Sequence, residues 1–306
     1  MVELRLLMRK IVECVPNFSE GRRKHVIDAI VARAKETPGV KVLDVLYDGY
    51  YNRMVLTFAG EPEAVRAAAM ATAEEAIKHI NMEEHKGQHP RIGAVDVVPF
   101  VPVKGVSMEE VVELARGFAR ELAEKFDLPV YLYGEAALKP ERRDLDYIRR
   151  GEYEGLKREI HLPERRPDFG PARMHPTAGA SIVGARGFMA GFNVNLGTSD
   201  IKVARKIARA LHAKKGGLAF VKAMGASIPE KGITQVGMSV YMPEKTPLYR
   251  VFELLKIEAS RYNVPVLSSE VVGVWPVQVL IDVVRYYLKV ENLDRSKVLE
   301  VALYEG

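Results

Sequence analysis

An α+β fold of two ferredoxin-like (split βαβ) subdomains, their sheets facing each other across a ligand cleft, is what this sequence predicts. Three observations lead there. The 306 residues can bury more than one small core and are expected to divide into two domains. Apolar spacing through the first half runs strand–helix–strand–strand–helix–strand–helix–strand. The second half repeats strand–helix–strand–strand–helix–strand–helix without evident residue identity, a duplication of pattern rather than of sequence. The unit β-α-β-β-α-β is the split βαβ arrangement, an antiparallel sheet with helices on one face. Two such units press their open sheet faces together or leave a cleft between them. The boundary is drawn to give domains 1–178 and 179–306.

Each element has a local cause. Ile11, Val12 and Val15 before Pro16-Asn17 read as a strand over 10–15. Val26, Ile27, Ile30, Val31 and Ala34 recur at helical spacing over 24–36, and Pro38-Gly39 stops that helix. Residues 41–47 and 53–59 are strands around Asp48-Gly49, a hairpin signal. Pro62 opens an alanine-rich helix to about residue 80, since proline suits a first helical turn. The apolar run 95–103 reads as a buried strand, and Ser107-Met108-Glu109-Glu110 is a capping box opening a helix to Phe126. Residues 129–133 form the next strand. In the second half, strands are expected over 188–196, 218–227, 233–241 and 264–271. Helices follow Thr198-Ser199-Asp200 and run over 247–262 and 276–290. Between the halves, 138–180 holds Pro140, Pro163, Pro167, Pro171 and Pro176 among many charges. It reads as a long irregular connection, either functional or a linker.

Composition narrows the function classes. The formal charge is +5, but glutamates such as Glu109-Glu110, Glu152 and Glu154 interrupt the basic residues. Arg22-Arg23-Lys24, Arg142-Arg143 and Lys214-Lys215 are short clusters without aromatic interleaving, so no nucleic-acid partner is expected. A modest positive field favours a polyanionic small molecule. No apolar run approaches the roughly 18–20 residues of a membrane span, so no membrane partner is expected. Residues 4–8 are apolar but precede Arg9-Lys10, the wrong order for a secretory signal, and Met8 is an alternative start. The single cysteine, Cys14, excludes an internal disulfide and points to a reducing, cytoplasmic compartment. Its apolar strand makes it a packing residue. Scarce glutamine (Gln88, Gln235, Gln278) beside abundant Glu, Lys and Arg fits a thermophile's composition.

The most informative stretch is Gly87-Gln88-His89-Pro90-Arg91-Ile92-Gly93-Ala94-Val95-Asp96. A titratable imidazole lies between two glycines, next to a proline and two residues from a guanidinium. Histidine is the side chain whose ordinary pKa lies near neutrality. Pro90 restricts the backbone before it, and Gly87 and Gly93 are expected to allow close ligand approach. Taken locally, the same residues also fit a surface turn whose histidine only hydrogen-bonds. His79 and His85 read as exposed residues near a helix terminus, and His25, His161 and His212 as surface residues. His79, His85 and His89 share no helical face and have no evident acidic or cysteine partner, so no metal is expected. No G-x-x-x-x-G-K-[ST] phosphate loop is present, which argues against a nucleotide cofactor.

Three strings go further together: Val12-Glu13-Cys14-Val15-Pro16-Asn17-Phe18-Ser19-Glu20-Gly21, the histidine loop running on to Val103, and Asp168-Phe169-Gly170-Pro171 followed by Gly179-Ala180 and Phe192-Asn193-Val194-Asn195-Leu196. With them the chain closely resembles the glutamate formiminotransferases, from about Ile11 to the C-terminus. The resemblance implies transfer of the formimino group of N-formimino-L-glutamate to N5 of tetrahydrofolate. Folate is then a co-substrate, and neither metal nor nucleotide is needed. His89 matches the residue that serves the family as general acid and base. The stretch from Gly170 and Pro171 to Gly179, with His175 inside it, corresponds to one that contacts folate. Carboxylate-rich substrates need cations, for which Arg91 and then Arg53, in an Asn52-Arg53 pair that recurs in the family, are the candidates.

Other positions keep two readings open. Asn193 and Asn195 alternate with apolar neighbours, so both amides share a strand face and serve a pterin ring or an inter-domain hydrogen-bond network. Glu13 orients a catalytic group or pairs an arginine. This chain has Leu46 where the animal enzymes carry an aspartate, and Tyr50-Tyr51 where many bacterial relatives carry Asp-His. Those departures leave two alternatives: a one-carbon folate or pterin enzyme using another donor (formyl transfer or a cycloligase-type reaction), or a folate-binding protein without catalysis. The chain ends at Gly306 without a second helical domain, so any cyclodeaminase step is expected from a separate partner. The resemblance further implies a homodimer.

Overall fold

The computed structural model describes residues 10–305; the apolar patch over 4–8 and the alternative start at Met8 lie outside them. The chain divides into two compact units between Arg186 and Gly187. The expected boundary at 178/179 falls inside the first of these.

In the first unit, β1 (Ile11–Cys14) and β2 (Asn17–Phe18) are successive pieces either side of Val15-Pro16. Both pair antiparallel with β4 (Arg53–Gly60) on one side and β5 (Val95–Lys104) on the other. β3 (Val40–Asp48) closes the β4 edge, antiparallel, through the expected hairpin. Beyond β5 the sheet changes character. β7 (Ser181–Ala185) pairs parallel with β5, and β6 (Val130–Gly134) pairs parallel with β7. The expectation of a purely antiparallel sheet is corrected here: β5, the helix Met108–Phe126 and β6 form a crossover, which parallel strands require. The short run Ser181–Ala185 was absorbed into the connection in the sequence reading, yet it sits between β5 and the edge strand β6.

The helices lie where their patterns place them. Ser107 accepts the Glu110 N–H while Glu110 accepts the Ser107 N–H, the capping box read from sequence. That helix buries Val111, Ala115, Phe118, Ala119, Leu122 and Ala123, one face at i, i+4, i+7 spacing. Phe118 meets Phe100 of β5 edge-on, ring centres 5.3 Å apart. Burying one such side chain contributes roughly 1.5–3 kcal/mol. The connection is not irregular. It carries helices Leu145–Arg149 and Glu152–Glu159 and single 3₁₀ turns at Pro140–Arg143 and Pro163–Arg165. Ile148, Leu156 and Ile160 pack with Ile92, Val97, Tyr131 and Ile182, covering the β5–β7–β6 half of the sheet. The buried Asp168 anchors its end, pairing with Arg142 at 2.7 Å and accepting the Leu132 N–H at 2.8 Å.

The second unit holds β8 (Ala190–Leu196), β9 (Val221–Ile228), β10 (Ile233–Val240) and β11 (Val266–Val272). They are antiparallel throughout, in the order β11–β8–β10–β9. Ala190, Phe192, Val194 and Leu196 enter a core shared with helices Ile201–Leu211 and Leu248–Ser260. Strand alternation therefore turns Gly191, Asn193 and Asn195 to the opposite face.

Candidate active site

The histidine loop is stitched to the β3–β4 hairpin. The Gln88 and His89 N–H groups donate to the carbonyls of Tyr50 and Tyr51, each at 3.4 Å. A Cβ on Gly87 would lie 2.2 Å from the Tyr51 carbonyl oxygen, and one on Gly93 1.9 Å from that of Ala180. Both glycines therefore admit neighbouring backbone, where close approach of ligand was expected. Asn52, with φ of 50°, is fully used in the same seam. Its Oδ1 accepts the Gly21 N–H at 2.9 Å, and its Nδ2 donates to the Lys86 carbonyl at 3.0 Å. Its own carbonyl lies 2.9 Å from His85 Nε2. Arg91 Nε donates to His85 Nδ1 at 3.3 Å, which makes Nδ1 the acceptor and puts the His85 proton on Nε2. His85 is thus half-buried and bonded at both nitrogens, not an exposed helix-end residue.

Three guanidiniums and the neighbouring His85 imidazole act electrostatically on His89. Arg91 is buried and forks onto Glu154 at 2.7 and 3.0 Å, with Glu152 at 3.0 Å from the same guanidinium. Its expected carboxylate contact is made, but to this chain's own glutamates. Arg53 donates to Asn17 Oδ1 at 3.0 Å, a neutral partner. Arg149 forms an ion pair with the buried Asp96, whose other oxygen accepts the Ile92 N–H at 2.8 Å. Burial first, then the guanidiniums of Arg53 and Arg149, push the His89 imidazole down to about 2. His85 and Arg91 act in the same direction. The half-buried His89 is therefore neutral near pH 7.

The remaining expected residues stand apart from this cluster. Gly170, with φ of 80°, closes against the Leu128 carbonyl, and Pro171 follows it, half-exposed. His175 makes a tight turn: its Nδ1 accepts the Thr177 and Ala178 N–H groups at 3.2 and 2.9 Å, and it bridges Gly179. Glu13 is buried, and burial pushes its carboxyl pKa up, with Arg186 opposing that rise. It pairs across the sheet with Ala59, six residues along β4 from Arg53. At the strand rise, that is about 20 Å, so Glu13 does not reach Arg53. In the second unit, Asn195 donates to Ser268 at 3.0 Å and Glu270 at 3.2 Å and accepts from Gln235 at 2.8 Å. That network is internal to one sheet, which the two readings of Asn195 did not include. The Asn193 amide makes no side-chain hydrogen bond among the described residues.

The sequence model described as the formiminotransferase domain, N-terminal subdomain, matches residues 11–186, and that of the formiminotransferase domain matches 191–302. The chain belongs to the formiminotransferase family. Glutamate formimidoyltransferase of Streptococcus pyogenes is 44% identical over 95% of this chain and 97% of its own length. That of Thermoplasma acidophilum is 45% identical over 95% and 96%. The mouse formimidoyltransferase-cyclodeaminase is 45% identical over 94% of this chain but only 54% of its own length.

Within this formiminotransferase, sequence reasoning missed Asn17, His85, Asp96, Arg149, Glu152 and Glu154. Asn17 and Asp96 lie inside the quoted strings. A polar residue inside an apolar strand run, as Asp96 is, was a usable signal, because a buried carboxylate requires a partner. Nothing local marks Arg149. Among the described residues, no group of three or more His, Cys, Asp or Glu is arranged to hold a metal ion. No helix among them is long and apolar enough to cross a membrane.

Proposed function

We propose that this protein is a glutamate formimidoyltransferase in which His89 is general base and then general acid. Tetrahydrofolate N5 attacks the amidine carbon of N-formimino-L-glutamate, forming the new C–N bond. His89 takes the N5 proton. When the bond to the glutamate nitrogen breaks, that nitrogen takes the proton back from the imidazolium, leaving 5-formiminotetrahydrofolate and L-glutamate. The observation that carries this reading is a neutral imidazole with two half-buried guanidiniums, Arg53 and Arg149, acting on it. A carboxylate-bearing substrate would neutralise those cations and raise the basicity of His89 at the moment it is needed. The S. pyogenes and T. acidophilum relatives, both named glutamate formimidoyltransferase, support formimidoyl transfer involving glutamate.

The stretch from Gly170 and Pro171 to Gly179 is proposed to contact folate, and separately, in the second unit, Asn193 on its open strand face keeps its reading as a pterin contact. The strand orders support a split βαβ reading of each unit. The buried Cys14 supports a reducing, cytoplasmic setting. A homodimer is supported by the exposed Leu267 and Val271 on β11, an edge strand that among the described residues pairs only with β8. The mouse relative joins formimidoyltransferase and cyclodeaminase in its name, which supports a cyclodeaminase as the functional partner of this activity.

The test is incubation with N-formimino-L-glutamate and tetrahydrofolate, then acidification to read the absorbance of the methenyl product. Wild type should turn over. His89→Ala should lose about 10²–10⁴-fold in kcat while still binding folate. Full activity in His89→Ala would remove it from the role. Folate binding without turnover by wild type would favour another donor or a non-catalytic binder.

A further inference from the structure

Of the guanidiniums of Arg149 and Arg53, only that of Arg149 forms an ion pair among the described residues, with Asp96, while Asp48, the cross-strand neighbour of Arg53, acts on Arg53 at longer range. Asp96 is 1% exposed, and one of its oxygens is already committed to the Ile92 N–H. The other pairs with Arg149, whose side chain is 14% exposed. Arg149 Nε is buried and makes no hydrogen bond. Among the described residues, Arg53 meets only the neutral Asn17 Oδ1. Each guanidinium carries five donors, so most of the two forks is unmatched. Arg91, by contrast, is satisfied by Glu152 and Glu154. A buried cation without its full complement of acceptors is costly, and the planar fork is shaped for a carboxylate.

Arg149 is placed deliberately. It is the last residue of the helix Leu145–Arg149, whose Ile148 packs into the cluster under β7. Arg165 donates to the carbonyls of Tyr147, Ile148 and Arg150 at 3.3, 3.2 and 2.9 Å and so clamps the end of that helix. The same two cations act electrostatically on His89, as do His85 and Arg91.

We propose that Arg149, with Arg53, forms the seat for the α-carboxylate of the formimino donor and is the specificity-determining residue for it. This rests on the proposed formimidoyltransferase reading. The α-carboxylate sits on the carbon that bears the leaving nitrogen. Anchoring it there places the nitrogen that must be protonated beside His89.

Two measurements test the seat. In steady-state kinetics, Arg149→Gln should raise KM for N-formimino-L-glutamate by roughly 10–100-fold, the worth of a charge-assisted contact, and leave KM for tetrahydrofolate within about twofold. Arg149→Lys should recover part of the loss. An unchanged donor KM in a folded Arg149→Gln overturns the proposal. Because that variant leaves the buried Asp96 unpaired, which costs stability, the second measurement uses wild type only. N-formyl-L-glutamate, an unreactive isostere of the donor, is added to histidine-labelled protein while His89 is titrated by NMR. Its titration midpoint should rise with N-formyl-L-glutamate and stay put with the α-amide, N-formyl-L-isoglutamine. Equal responses to both, or none, overturn the seat. Failure of the functional reading is seen separately, as absence of turnover by wild type in a protein whose His89 still responds to the α-carboxylate.

Discussion

His89 shows how a single side chain's surroundings set both its chemistry and its contribution to stability. In the fold its pKa is pushed down to about 2 by burial and by Arg53 and Arg149, whereas in the unfolded chain it titrates near 6.5. Between these values the unfolded state binds a proton that the native state refuses, so native stability falls as pH drops through that window. His85 and His175 are also shifted down by burial and add in the same direction. Replacing His89 by the non-titrating Gln should therefore flatten the loss of Tm between pH 6.5 and acid relative to wild type, as followed by circular dichroism. Parallel curves for the two proteins would mean that His89 is not held neutral. The same shift bears on kinetics, because kcat/KM reports the free enzyme. Its pH profile should lack an acid limb near 6.5 beyond the ionisations of the substrates. An acid limb in kcat alone is expected, since bound carboxylate raises the imidazole in the complex.

At the scale of elements, the connection between β6 and β7 matters most. The buried pair of Asp168 and Arg142 ties its end to β6, with side chains 4% and 2% exposed. Removing one charge of such a pair strands the other. Asp168→Asn should cost about 3–5 kcal/mol in urea unfolding, and a loss below about 1 kcal/mol would show that the pair is solvated. The same connection explains what the sequence made readable. Ser107–Glu110, Asp48-Gly49 and Pro62 report local geometry, and the elements they open lie within a residue or two of expectation. Ser181–Ala185 carries no period to distinguish it from loop, and only its neighbours β5 and β6 make it a strand. Arg149 was invisible for a similar reason: its partner Asp96 is 53 residues away, brought close by packing of Ile148. His89 was legible because Pro90 and the flanking glycines marked its loop. What Arg91 binds was not, since Glu152 and Glu154 reach it only through the fold.

Over the whole molecule, two units with three buried hydrophobic clusters carry one excess of positive charge, formally +5. The proposed substrates are polyanions, so this field should draw them in before any specific contact forms. Long-range attraction and buried contact differ in their response to salt. The screening length is about 10 Å at 0.1 M ionic strength and 3 Å at 1 M, while a buried ion contact is screened far less. Raising KCl from about 0.05 to 0.5 M should therefore lower kcat/KM for both substrates by several-fold and change kcat by less than about twofold. The donor should still discriminate Arg149→Gln from wild type at the higher salt, because Arg149 is largely buried. If kcat/KM is flat across that range, the net charge is incidental to recognition and the buried guanidiniums alone select the substrate. If instead the discrimination by Arg149 vanishes at high salt, its contact is a solvated surface pairing and the neutral state of His89 requires another cause.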